Sequence, residues 1–419
     1  MSKDRAIIKA IAKEYSGATI KPAEYSAGFI VEFRKERTMI NKLFEYFILS
    51  LVLLVGLTTA WFSFGLDIWQ EIQDSKWEKH ILKDSTGIQD GVLTSQGNYL
   101  LIGSTKESNQ KVIYKIDDAG KVLFKKYINE AVNQIFSTPE GNYLLLSNTT
   151  LLKINRTGKK LWQKRIKVET KNDDNIEYDE ILSTQNGYLI AGSSAEEVFL
   201  LSVNKKGQIK QYKSYRSLNN VEDMIKTTDN NLLLLVSNLN SNLNVVLKLE
   251  QSGNILKKKK YEEYNNIYFH ALQEVRKGKY LIAGMYKSSK QRKKGLLLKG
   301  NFENIDWQRD YKAGLGLDIN LEEVSSTHDN NFLVIGSKDE GIRGGSNNLY
   351  LLKVTPEGEI IWEKSYGTQA YDKFTGLIKT EDGMLIMGYL AHPDDYPNTV
   401  GVIFKIDSRG EIVKDFQIK

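Results

Sequence analysis

Seven times between residues 97 and 390 the chain returns to one phrase, a turn holding Gly or Asn followed by an apolar run. The phrase reads NYLLIGS after Gly97, NYLLLSN after Gly141, YLIAGSS after Gly187, NLLLLVS after Asn230, KYLIAGM after Gly278, NFLVIGS after Asn330 and MLIMGYL after Gly383. With Tyr99, Tyr143, Tyr188, Leu232, Tyr280, Phe332 and Met384 as marks, the intervals are 44, 45, 44, 48, 52 and 52 residues. A unit of that length suits four short strands and their turns, and it cannot bury its apolar faces alone. Neighbouring copies must cover one another.

After each phrase come a second apolar run, a tight turn and a charged closing segment, as in LLKINRTGKKLWQKRI and LLKVTPEGEIIWEKSY. Six of these turns hold a glycine (Gly120, Gly158, Gly207, Gly253, Gly358 and Gly410), the residue that enters positive φ without steric cost, and Asn304 stands in the fifth copy. The central runs do not alternate, so both of their faces are expected to be covered, whereas the closing segment alternates and should lie outermost. The lysine run Lys257 to Lys260 falls in such an outer strand, where charge protects an exposed sheet edge. No helical period follows residue 72. The expected fold is therefore all-β, a propeller of about seven four-stranded blades over residues 75–419, rather than an open solenoid. One outer segment is left over, because WEKHI at Trp77 matches WEKSY at Trp362. The simplest resolution places the Trp77 strand in the last blade, so that both chain ends close the ring.

Ahead of the repeats, Tyr46 to Leu66 form 21 residues without a charge, roughly 30 Å of helix and enough to cross a bilayer. Aromatic residues mark both ends (Tyr46 and Phe47; Trp61, Phe62 and Phe64). Arg34, Lys35, Arg37 and Lys42 precede the run, and Asp67, Glu71 and Asp74 follow it, which orients the N-terminus to the cytoplasm. The expected organisation is a basic cytoplasmic segment 1–42, a transmembrane helix 43–66, a linker 67–74 and an extracytoplasmic propeller 75–419 in the cell membrane. Within the first segment, Ile7, Ile8, Ile11 and Tyr15 share one face of a short amphipathic helix.

The chain has no cysteine, which excludes disulfides, thiolate metal sites and thioether-bound haem. Its net charge is +6, of which residues 1–42 supply +4 from nine basic and five acidic side chains. The remaining +2 is too little for an electrostatic footprint on nucleic acid, so no nucleic-acid partner is expected.

The phrases KINRTGKKLW, KVTPEGEIIWEK and KIDSRGEIVKDF resemble the repeat of pyrroloquinoline-quinone-like propellers, and TQNGYLIAG is similar to bacterial secreted propeller repeats. The resemblance spans roughly residues 75 to 419. In its dehydrogenase members it implies a quinone, a calcium ion and often a vicinal disulfide. This chain lacks cysteine, and the family's metal-ligand positions find no match, so it is closer to the non-catalytic scaffold members of envelope assembly machines.

Candidate sites are few. His80, His270, His328 and His392 fall in different repeats without metal-ligand spacing. The acid pairs Asp173 with Asp174, Glu322 with Glu323 and Asp394 with Asp395 read as solvated charge at turns and strand starts. The glycine-rich stretch from Gly341 lies between strands, outside a phosphate-cradle context. The segment KSSKQRKKG gathers Lys287, Lys290, Arg292, Lys293 and Lys294 in one rim loop, the candidate interaction loop, suited to a protein partner or an anionic envelope polymer. No catalytic, cofactor-binding or metal-binding residue is assigned. The expected function is a non-enzymatic, membrane-tethered binding platform. A one-pass signal transducer is the alternative, and a quinone-dependent or polysaccharide-active enzyme a further one.

Overall fold

A computed structural model describes residues 18–22, 29–33, 81–82 and 85–412, apart from short segments at 106–109, 169–175, 239, 263–265, 288–292, 313–316, 340–346, 368–370 and 392–398. The chain divides into two compact units, Met1–Glu78 and Lys79–Lys419. In the first, Ala18–Pro22 (β1) pairs antiparallel with Phe29–Phe33 (β2). This strand pair lies inside the segment expected to be basic and cytoplasmic, and the sequence reading did not foresee it. The expected helices at 43–66 and near Asp4 to Tyr15 lie outside the described residues. Among the described residues no helix is long and apolar enough to cross a membrane.

The second unit is a seven-bladed, all-β propeller in which every blade is a four-stranded sheet. Its strands are lettered a to d from the axis outward. Strand b carries the repeated phrase and is buried along its length in blades one, two and three. The register marks from Tyr99 to Met384 are at most 5% exposed, which makes the repeat phase the phase of the core. Each large apolar cluster straddles two neighbouring blades: one with two, two with three, three with four, four with five, five with six, and seven with one. No blade holds a core of its own, as expected for units too short to bury their faces singly.

Ring closure uses both ends of the unit. Ile81–Leu82 (β3) is strand d of blade seven and pairs with Thr399–Ile406, with Ile81 opposite Val402 and Leu82 opposite Gly401. The segment joins the blade that the WEKHI match indicates, one residue out of the implied register. Tyr366 pairs with Leu349 in blade six, so the match alone would set Ile81 against Gly401. Trp77 itself lies outside the described residues. Blades seven and one are also tied directly, by Thr375 Oγ1 donating to the Ile88 carbonyl (2.6 Å) and Lys405 Nζ to Asp118 (3.0 Å).

The turn glycines behave as expected in six blades, with φ near +75° to +80° at positions such as Gly207 (+79°) and Gly358 (+78°). Asn304 does not take that conformation. Instead, the Asn301 side chain accepts the amides of Glu303 (2.8 Å) and Asn304 (2.7 Å), capping the fifth turn without a left-handed residue.

Candidate functional site

Strand a is where the structure departs most from the sequence reading. In six blades its pairing with strand b slips by one residue, at Gln89, Asp179, Glu222, His270, Glu322 and Thr375. Such a bulge sets two consecutive residues of strand a opposite one of strand b. In four of the six the bulged side chain turns toward strand b, where the serine of the repeated phrase meets it. Gln89 reaches Ser104 (3.2 Å), Asp179 accepts from Ser193 (3.0 Å), Glu222 from Ser237 (2.8 Å) and Glu322 from Ser337 (3.4 Å).

The next residue of each bulge is Asp90, Glu180, Asp223, Ala271, Glu323 or Gly376, and Gln134 holds the same level in blade two. Four carboxyls therefore converge on the axis from blades one, three, four and six. Two of them bind the following blade: Asp90 accepts the Ile135 amide and Asp223 the Leu272 amide, both at 2.7 Å. Among the described residues no amide reaches Glu180 or Glu323. Burial pushes Glu323 up to about 8, and repulsion from Asp223 and Asp90 adds to it. Burial likewise pushes Asp90 and Asp223 up to about 7 against the pull of their amide hydrogen bonds, and lifts Glu180 well above the carboxylate range. Near neutral pH these carboxyls are therefore only partly ionised. Glu323 is thus an axial group and Glu322 an acceptor from Ser337 and Asn320, rather than solvated turn charge, which corrects the reading of that pair. An acid in a strand looks like an acid in a turn until the bulge is known.

His270 belongs to the same level, with Nδ1 3.6 Å from Glu222 across the blade interface. His328 is elsewhere, its Nε2 2.7 Å from the Thr380 carbonyl. His80, His392 and the pairs at 173–174 and 394–395 lie outside the described residues. Among the described residues no three His, Cys, Asp or Glu side chains are placed to hold a metal ion.

The candidate interaction loop joins strands b and c of blade five. Lys287 ends Lys279–Lys287 and pairs with Lys293, which opens Lys293–Gly300. Lys290 and Arg292 lie outside the described residues. The Lys293 amide donates to Asp318 (3.0 Å), and Lys294 lies over the Tyr286 ring and 4.0 Å from Asp310. The b–c connections share one face of the ring with the links between blades. They range from the short step between Leu146 and Thr150 to the gap between Asp339 and Asn347.

The repeated lysine of strand c, in contrast, is structural. Lys153, Lys353 and Lys405 are buried, and with Lys248 they reach the a–b turn of their own blade or groups on the next. Lys248 bonds Asp229 (2.5 Å), Lys353 bonds Asp329 (2.7 Å), and Lys405 bonds Asp382 (2.7 Å). The Lys248 ammonium holds the Asp229 carboxyl well below the usual range.

No family model matches the chain, and no curated protein matches it. Solved structures do resemble it. A puromycin hydrolase S511A mutant complexed with PGG aligns at 9% identity over 78% of this chain and 53% of that one, with a TM-score of 0.54. The Dos1 propeller aligns at 11% identity over 81% and 86%, with a TM-score of 0.50, and the Neurospora crassa Pan2 WD40 domain at 10% over 79% and 90%, with a TM-score of 0.48. At such identities the likeness is one of fold. This chain covers about half of the hydrolase, so that enzyme's activity does not transfer with the alignment.

Proposed function

We propose that the protein is a non-enzymatic binding platform, a propeller held at the membrane by the uncharged run of residues 46–66. The observation that supports it best is a girdle of apolar side chains on the outer wall. Strand d opens with Leu123 in blade one, Leu161 in two, Ile255 and Leu256 in four, and Ile360 and Ile361 in six, each between 45% and 52% exposed. Scattered apolar side chains on a surface are ordinary, but a set repeated at the start of the outer strand in four of the seven blades forms a surface that a partner can cover. The axial acids favour the same reading, since Asp90 and Asp223 spend their carboxylates on tying blades together. The rim loop Lys287 to Lys294 is a second, charged element of this platform on the opposite face of the ring, since Gly295 beside it pairs with Tyr311 at the far end of strand d.

Photo-cross-linking residues placed at Leu161 and Ile361 in cells producing the full chain test the proposal. Covalent adducts with another macromolecule at these positions, and none at the buried control Leu234, are expected. Equal labelling at all three, or none, would remove the platform reading.

A further inference from the structure

The near-neutral total of the propeller hides a strong charge polarity that appears only once the outer strand of each blade is taken by itself. The c–d turn and strand d of blade two (residues 155–165) hold five basic residues and no acid, and those of blade three (204–216) again five and none. Blade four (250–260) holds four basic residues against one acid. Blades five (301–311) and six (355–366) invert the pattern, with one basic residue against three acids each. These strands form the outermost, uncovered edge of the ring. The outer strands of blades two to four therefore present one continuous cationic arc, and the acids that cancel it in the sum sit on the inner strands and turns of the same blades, five of them in blade three, and on other blades.

Little of this charge is neutralised locally. Lys205 meets Glu140 (2.8 Å), Lys257 meets Glu303 (2.5 Å) and Lys260 meets Glu262 (2.9 Å). Lys164, Lys210 and Lys258 are exposed and have no ion pair among the described residues. Edge protection requires one or two charges per strand rather than an arc restricted to three consecutive blades.

We infer that this arc binds a flexible, linear phosphate polymer that lacks bases, an inference that rests on the platform reading and names its partner. Three features select that chemistry. The wall of a ring is convex, so a flat bilayer touches one blade at a time and a stiff duplex must bend, whereas a flexible chain follows all three. Eleven of the fourteen basic residues are lysine, a mobile point charge that meets successive phosphates of a flexible chain without the fixed bidentate orientation an arginine fork imposes. The rings that base stacking would need are committed elsewhere. Trp162 packs on Gly207 of the next blade, and the Tyr212 hydroxyl donates to Glu197.

The test uses the full chain in nonionic detergent with fluorescent long-chain inorganic polyphosphate, poly(A) and polyaspartate as probes. Polyphosphate should bind most tightly and weaken steeply between 50 and 200 mM salt, about tenfold or more, through counterion release. The triple variant Lys164→Glu, Lys210→Glu, Lys258→Glu should lose about tenfold or more of that affinity and show a shallower salt slope. A control of equal charge change outside the arc, Lys277→Glu, Lys373→Glu, Lys379→Glu, should stay within about twofold of the parent. Unchanged melting of both variants excludes misfolding. The inference is overturned if polyphosphate does not bind, if both triples lose affinity alike, or if poly(A) or polyaspartate binds more tightly, pointing to RNA or an acidic protein instead. Cross-links at Leu161 and Ile361 that persist while polyphosphate fails would leave the platform standing and remove only this partner.

Discussion

Gly97 and Gly358 both adopt positive φ, yet a methyl group would meet open space at the first and collide at the second. There the added atom would lie 2.7 Å from Arg309 Cδ and 2.9 Å from the Trp307 ring of the preceding blade. The same arrangement recurs where Trp162 meets Gly207 and Trp362 meets Gly410. The turn glycine and the strand-d tryptophan are thus two halves of one joint between blades. Tyr215 and Tyr311 complete it by donating to the Gly253 and Gly358 carbonyls, each at 2.7 Å. Gly97→Ala should cost about 1 kcal/mol from backbone strain, and Gly358→Ala a further ~1–3 kcal/mol from overpacking, compared by denaturant unfolding of the full chain. Tyr311→Phe, which leaves a buried carbonyl without its donor, should cost about 1 kcal/mol in the same assay. The sequence displayed these glycines and tryptophans. It did not display that each pair spans two blades, because repeat spacing is identical whether a contact is made within a blade or to its neighbour.

At the scale of the strand, apolar runs made b and c legible and charge made d legible, but the bulge in strand a left no mark in the spacing. Glu222 with Asp223 and Glu322 with Glu323 consequently resemble turn acids, although Ser237 and Ser337 hold one member of each pair and the axis holds the other. The bulge has a thermodynamic signature. Glu323, Asp90 and Asp223 titrate near 7 to 8 when folded but near 4 when unfolded, so the folded chain binds more protons between those limits. Their contribution is complete below about pH 4 and is lost as pH rises through about 7 to 8. Asp229 and Asp382, held low by Lys248 and Lys405, act in the opposite sense and lose their contribution as pH falls below about 4. Thermal melting of the full chain should therefore peak near pH 4 to 5 and decline from there to about pH 8. Glu323→Gln should flatten that decline, and a decline unchanged in the variant would show that the axial belt does not titrate in this range.

On the scale of the whole molecule, seven blades and their closure by both ends were readable from one repeat, while the polarity of the wall was not, since opposite charges on other strands and other blades cancel in any total. The β1–β2 pair also escaped the sequence reading, because two five-residue strands without a repeat give no periodicity to follow. Closure carries the largest structural consequence, for an unlatched ring would leave the Ile88, Leu101 and Met387 cluster between blades one and seven open to water. The absence of cysteine makes this directly measurable. In the variant Ile81→Cys, Val402→Cys, mild oxidation should link the two directly opposed positions and raise the melting temperature of the full chain, while Ile81→Cys with Val198→Cys, a position in blade three, should not link. Failure of the first pair to form a cross-link in folded protein, or linkage of both pairs alike, would contradict a propeller closed by its N-terminal strand.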